Sequence, residues 1–252
     1  MLVVESIPDF IQMRQDWLGK VGFVPTMGNL HAGHESLLRR SVAENDITVL
    51  SIYVNPTQFD QSQDYQAYPM TLQQDLEVAK SSGVDVVLLP TYEQIYTQGY
   101  RYQVVENQLS LEMEGCRSGH FNGVLTVVMK LFNVVRPDRA YFGEKDYQQY
   151  LLIKDMVAAF FLPIEIVSCE TVRHVSGLAM SSRNQRLSQE AQVRAAQLFD
   201  RLTHGASASL IKSQLESLGM DVDYVEDRQG RRYAAVVIDG VRLIDNVKIM
   251  ET

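Results

Sequence analysis

The chain has 252 residues, of which 46% are hydrophobic and 21% charged; it is long enough for one large α/β domain, or one domain and a small companion, and its composition excludes a disordered protein. A net charge of -8, with no Lys/Arg run beyond pairs such as Arg39-Arg40 and Arg231-Arg232, repels a phosphate backbone and disfavours nucleic acid as a partner. Two cysteines, Cys116 and Cys169, without a C-x-x-C pattern, argue against a disulfide framework or structural zinc and fit a cytoplasmic location.

The amino-terminal MLVVESIPDF meets Glu5 and Asp9 before any long apolar run forms, so no signal peptide is expected. Residues 21–24 are a short apolar strand that breaks at Pro25. It runs into a turn with Gly28, Gly33, His31 and His34, then into an apolar-periodic helix over about residues 35–44. Strand, glycine-bearing loop and helix start form the first half of a βαβ unit, which aims backbone N–H groups at whatever lies ahead of the helix. An anion is the natural guest. Two imidazoles there can donate hydrogen bonds to phosphate oxygens, and they carry positive charge if protonated.

Residues 47–54 read as a fully buried parallel strand ending at Asn55-Pro56, with Gln58 at its carboxyl end, where ligands sit in open parallel sheets. Residues 60–69 read as a loop that covers a site, followed by a helix capped by Thr71, running to residue 82 and stopped by Gly83. Residues 84–90 are the third strand, 92–99 are irregular and 102–106 form an edge strand. A second glycine-bearing turn over 112–124 brings Arg117 and His120 close together, and the helix beyond it ends before Pro137. A short strand over 140–142 delivers Gly143, Glu144, Lys145 and Asp146. The helix over 147–160 then presents Gln149 on its first turn, and the fifth strand is 164–167. The longest apolar run, 156–164, is about half a membrane span, so no membrane is expected either.

Strands alternating with helices predict a Rossmann-like α/β fold, a doubly wound parallel sheet, over residues 1–170. The pattern then changes, and residues 171–252 read as a smaller α+β domain with helices over 189–201 and 206–218 and two strands joined at Arg228-Gln229-Gly230. The chemistry-bearing residues fall at carboxyl ends of strands or on the helix starts that follow, which places them in one crevice. Taken singly, each has a duller role open to it: His31 or His34 as a helix cap, Lys145 and Asp146 as a solvated pair.

Longer runs narrow the reading. Pro25-Thr26-Met27-Gly28-Asn29-Leu30-His31-Ala32-Gly33-His34, Asn55-Pro56-Thr57-Gln58-Phe59, Gly119-His120-Phe121, Phe142-Gly143-Glu144-Lys145-Asp146-Tyr147-Gln148-Gln149, Gly177-Leu178-Ala179-Met180-Ser181-Ser182-Arg183-Asn184 and Arg242-Leu243-Ile244-Asp245-Asn246 occur in this order. Over nearly the whole chain the sequence resembles the pantoate:β-alanine ligase (pantothenate synthetase) family, within the wider H-x-G-H nucleotidyltransferases. The resemblance implies ATP-driven condensation of pantoate with β-alanine through a pantoyl-adenylate, releasing pyrophosphate and AMP, by a homodimer that takes magnesium with ATP. It implies an ATP site of Met27, Gly28, Asn29, Leu30, His31, Ala32, Gly33, His34, Gly143, Glu144, Lys145, Asp146, Val172, Met180, Ser181, Ser182 and Arg183. His34, His31 and Lys145 would be catalytic, and Gln58, Gln149, Asn55 and Arg117 would hold pantoate or β-alanine. Asp75 is offered as a magnesium ligand.

The chain departs from the family at Ser118, where proline is usual, at Ser176 for aspartate and at Met70 for arginine, and its carboxyl-terminal domain is short. The pantoate carboxylate is itself a nucleophile, so attack on the α-phosphorus calls for positioning and charge neutralisation, with no serine or cysteine. Other readings of an H-x-G-H loop are a nucleotidyltransferase acting on a phosphorylated small molecule, or a non-catalytic nucleotide-sensing or RNA-associated module. The neutral amides of Gln58 and Gln149, in place of Lys and Arg, favour a carboxylate substrate.

Overall fold

A computed structural model describes residues 1–60, 62–204 and 207–249. The chain divides into two compact units, Met1–Glu144 with Gln148–Cys169, and Lys145–Tyr147 with Glu170–Thr252.

The first unit is built on a parallel sheet of β1 (Leu2–Val4), β2 (Val21–Thr26), β3 (Ile47–Ile52), β4 (Val86–Leu88), β5 (Arg139–Gly143) and β6 (Glu165–Cys169), in the order β1-β4-β3-β2-β5-β6. All its pairings are parallel, with Val21 opposite Ile47 and Gly22 opposite Arg139. Growth of the sheet reverses at β2, so the carboxyl ends of β2 and β5 flank the crevice where such sheets bind ligands. Val24, Leu50, Val87 and Tyr141 from four strands are buried with Leu37 and Leu38 in one cluster.

The helices are α1 (Ile7–Arg14), α2 (Ala32–Glu44), α3 (Ser62–Gln66), α4 (Leu72–Ser81), α5 (Tyr92–Ile95), α6 (His120–Val135) and α7 (Tyr147–Ala159). α6 buries Val124, Val127, Val128, Leu131 and Val135 at helical spacing and ends at Arg136, which takes a left-handed φ of 48° ahead of Pro137. No described helix is long and apolar enough to cross a membrane.

Several local expectations change. The three-residue β1 and the short α1 have too little periodicity to stand out; the latter is set by Ser6, whose Oγ accepts from the Asp9 amide at 3.2 Å. Residues 60–69 contain α3, and 92–99 contain α5. Residues 102–106 join no ladder: the Val104 amide donates instead to Thr126 Oγ1 at 2.9 Å, so the expected edge strand is an irregular segment.

In the second unit an antiparallel sheet, β7 (Asp221–Arg228), β8 (Arg231–Ile238) and β9 (Val241–Lys248), packs with α8 (Gln189–His204) and α9 (Ala208–Ser217). Residue 206, the expected start of the second helix, lies outside the described residues. Leu198, Leu202, Ile211 and Leu215 share a core with Ala234, Val236 and Leu243. The sheet has three strands where two were expected. Asp239 and Gly240, with φ of 49° and 76°, form a tight turn of the same Asx-Gly kind that marks hairpins in sequence.

Candidate active site

The loop between β2 and α2 is held from below by one carboxylate. Asp75, on the first turn of α4 and 2% exposed, accepts from the amides of Asn29 at 3.0 Å and Leu30 at 2.7 Å. Thr71 Oγ1 donates to it at 3.2 Å. Gly28 has a φ of +81°, and a Cβ there would lie 2.9 Å from Asp75 Oδ2, so both the backbone and the clamp call for glycine. Both Asp75 oxygens accept from backbone amides, which makes this residue an anchor of the loop. Among the described residues no group of three or more His, Cys, Asp or Glu is placed to hold a metal ion.

The two histidines cap α2 reciprocally. The Gly33 amide donates to His31 Nδ1 at 3.1 Å and the His31 amide donates to His34 Nδ1 at 3.3 Å; the ring centroids are 4.1 Å apart. An accepting Nδ1 carries no hydrogen, so each ring is neutral with its hydrogen on Nε2. Capping and ligand binding, open alternatives in the sequence, are not exclusive: each Nδ1 serves the helix, and both rings sit at the positive end of α2, where an anion is favoured.

A second buried network orients Gln58. Asn55, 1% exposed, donates from Nδ2 to Gln58 Oε1 at 3.0 Å and to the Gly123 carbonyl at 3.2 Å. Its Oδ1 accepts from Tyr96 Oη at 2.9 Å and Thr57 Oγ1 at 3.0 Å. Burial pushes the Tyr96 phenol up to about 12, so it remains a donor near neutral pH. Gln58 Nε2 donates to Met27 Sδ at 3.1 Å, linking the Gln58 turn to the H-x-G-H loop. The turn packs against α6 so closely that a Cβ at Gly123 would lie 2.3 Å from the Thr57 carbonyl oxygen. Asn55 thus acts behind Gln58, as its support.

His120 Nδ1 donates to the Gln58 carbonyl at 2.8 Å. Arg117 reaches Asp60 Oδ1 at 3.4 Å and lies 3.5 Å from His120 Nε2, and both side chains line a cavity of about 250 Å³ with Ser110, Cys116 and Phe121. Gly143 ends β5, Glu144 follows it, and Gln149 is half-buried on the first turn of α7. The neighbouring Gln148 is buried and spent on structure: it donates to the carbonyls of Leu109 and Glu112, each at 2.7 Å.

A sequence profile described as pantoate-beta-alanine ligase matches residues 2–248. The chain belongs to this ligase family. A pantothenate synthetase of Legionella pneumophila (strain Lens) is 57% identical over 250 residues, covering 98% of this chain and 99% of the relative. One from Bdellovibrio bacteriovorus is 50% identical over 248 residues, covering 98% and 99%. A crystal structure of the pantoate-beta-alanine ligase of Francisella tularensis, complexed with beta-gamma ATP and beta-alanine, is similar with a TM-score of 0.94 and 39% identity, over 98% of this chain and 97% of that one.

The remaining residues that the ligase resemblance singles out lie in the second unit. Lys145 Nζ is 3.4 Å from Asp146 Oδ1, both in the short turn Glu144–Asp146. Val172 and Met180 face each other across a narrow loop, the Met180 amide donating to the Val172 carbonyl at 3.0 Å. Ser181 Oγ accepts from the Arg183 amide at 3.3 Å and so starts the turn Ser182–Arg186. Val172 and Met180 to Arg183 are therefore one local structure. Among the ligase family's departures here, Met70 is exposed and Ser176 lies in an exposed turn. Thr71 and Tyr96 were missed as supports by sequence reasoning. Only the spacing of Thr71 four residues before Asp75 signalled the first, and nothing local signalled Tyr96.

Proposed function

We propose that this chain joins the carboxylate of pantoate to the amine of β-alanine, driven by cleavage of ATP, through a pantoyl-adenylate, on the cytoplasmic route to pantothenate and coenzyme A. The observation that carries the adenylate step is the reciprocal histidine cap: two neutral imidazoles held by their Nδ1 atoms at the amino terminus of a thirteen-residue helix. Fixed N–H donors stabilise charge that develops on phosphate without reorganising during the reaction.

In the first half-reaction a pantoate carboxylate oxygen attacks the α-phosphorus, in line with the leaving pyrophosphate. Lys145 and Arg183 are proposed to neutralise the departing charge, and His31 and His34 to stabilise it by hydrogen bonding. Asp146 is assigned to the ribose hydroxyls, and the loop from Met27 to Gly33, with Gly143, Glu144, Val172 and Met180 to Ser182, to the rest of the nucleotide. Gln58, oriented by Asn55 and Met27, and Gln149 are assigned to pantoate, and Arg117 to pantoate or β-alanine. Magnesium enters as part of the nucleotide substrate. In the second half-reaction the neutral amine of β-alanine attacks the acyl carbon and AMP leaves. Protection of the anhydride from water is assigned to the small second unit as a lid. The assembly proposed is a homodimer, which light scattering checks.

The test is isotope exchange between ATP and pyrophosphate with pantoate present and β-alanine omitted. Pantoate-dependent exchange is expected; its absence in folded protein supplied with magnesium contradicts the adenylate.

A further inference from the structure

The run Arg242-Leu243-Ile244-Asp245-Asn246 on β9 is assigned no substrate, yet Asp245 and Asn246 are 4% and 3% exposed. Successive strand residues face opposite sides of a sheet. On one side Asp245 accepts from both terminal nitrogens of Arg173, at 2.6 and 2.8 Å, while that guanidinium lies 3.9 Å over the Phe199 ring of α8. On the other side Asn246, opposite Tyr233, donates from Nδ2 to the backbone carbonyl of Lys145 at 2.9 Å. Arg231 donates to Asn246 Oδ1 and lies 3.7 Å over the Tyr147 ring. Lys145, Asp146 and Tyr147 accordingly group with the second unit, although Glu144 and Gln148 beside them belong to the first.

We infer that Asn246 is a positioning residue for Lys145. It holds the backbone from which the ammonium reaches the nucleotide phosphates, and the inference rests on the role given to Lys145 above. A lysine side chain is long and loses rotamer freedom when it engages a ligand, so anchoring its root limits how far the charge wanders. The position calls for an amide: one side chain must donate to a carbonyl and accept from a guanidinium at once. Aspartate lacks the donor and leucine lacks both.

Asn246→Asp retains the shape and the acceptor for Arg231, replaces the donor to Lys145 by an acceptor and adds a negative charge. On the full chain, thermal melting and pantoate-dependent ATP–pyrophosphate exchange are measured for Asn246→Asp, Lys145→Ala and the double variant. The expected result is a folded Asn246→Asp protein whose kcat/KM for ATP in exchange falls about tenfold or more, with no further fall when the substitution is added to Lys145→Ala. Exchange within about twofold of wild type in Asn246→Asp, with Lys145→Ala impaired, overturns the inference alone, as does a full second fall in the double variant. Exchange untouched by Lys145→Ala overturns the role of Lys145 and the inference with it. Asn246→Ala, which removes both bonds without adding charge, is the second variant; if neither folds, Asn246 is a fold determinant and the inference fails.

Discussion

Replacing Asp75 by asparagine keeps the side chain's size and removes its charge. The carboxylate accepts from two backbone amides at 3.0 and 2.7 Å in a site 2% exposed, and hydrogen bonds to a charged group contribute about 1.5–3 kcal/mol each. An asparagine oxygen can serve one of the two amides, while its NH2 group meets the other as donor against donor. Losing one bond and stranding one buried N–H costs about 2–4 kcal/mol. For a domain of this size that lowers the melting midpoint by roughly 4–16 °C, at 2–4 °C per kcal/mol. Melting followed by circular dichroism, with and without excess magnesium, measures it; the expected loss of stability is one that magnesium does not reverse. A variant as stable as wild type without metal, whose adenylation recovers with added magnesium, would refute the clamp and return Asp75 to the metal.

His34→Ala removes the N–H donor proposed for phosphate and the acceptor for the His31 amide, so adenylate formation should slow by about a hundredfold or more in single-turnover assays. Wild-type rates in that variant would remove the residue from the scheme. Gly123→Ala places a Cβ 2.3 Å from the Thr57 oxygen and should push the turn carrying Asn55 and Gln58 aside, raising KM for pantoate and destabilising the protein by about 1–3 kcal/mol; an unchanged KM contradicts the role given to that turn. Cys116 is exposed and Cys169 buried, with burial holding the Cys169 thiol above its ordinary value. Titration with a chromogenic disulfide should find one fast thiol in the native protein and the second only on unfolding, and two fast thiols would contradict this.

The alternation of strands and helices, the carboxyl-end placement of Gln58 and the H-x-G-H loop, and the ligase resemblance are all legible in the sequence. Each rests on local periodicity, turn-forming residues or contiguous runs, which a chain carries along its length. β1, too short to show a period, carries no such signal; β9 was missed although the Asp239-Gly240 turn before it is a local hairpin signal. Residues 102–106 show the converse, since strand-forming residue types state a readiness to pair and only a neighbouring edge can complete it. The site divides in the same way. The residue types of His31, His34, Gln58 and Lys145 are written in the chain, but what each can do is set by partners remote in sequence. Asp75 lies 46 residues from the Asn29 amide it holds, Tyr96 lies 41 from Asn55, and Asn246 lies 101 from Lys145. A hydrogen bond depends on distance and angle between groups that folding brings together. The sequence could therefore name the candidate side chains, while tertiary structure alone decided the partners of the histidine Nδ1 atoms, the anchoring of the loop by Asp75 and the hydrogen bonds that hold Gln58 and the Lys145 backbone.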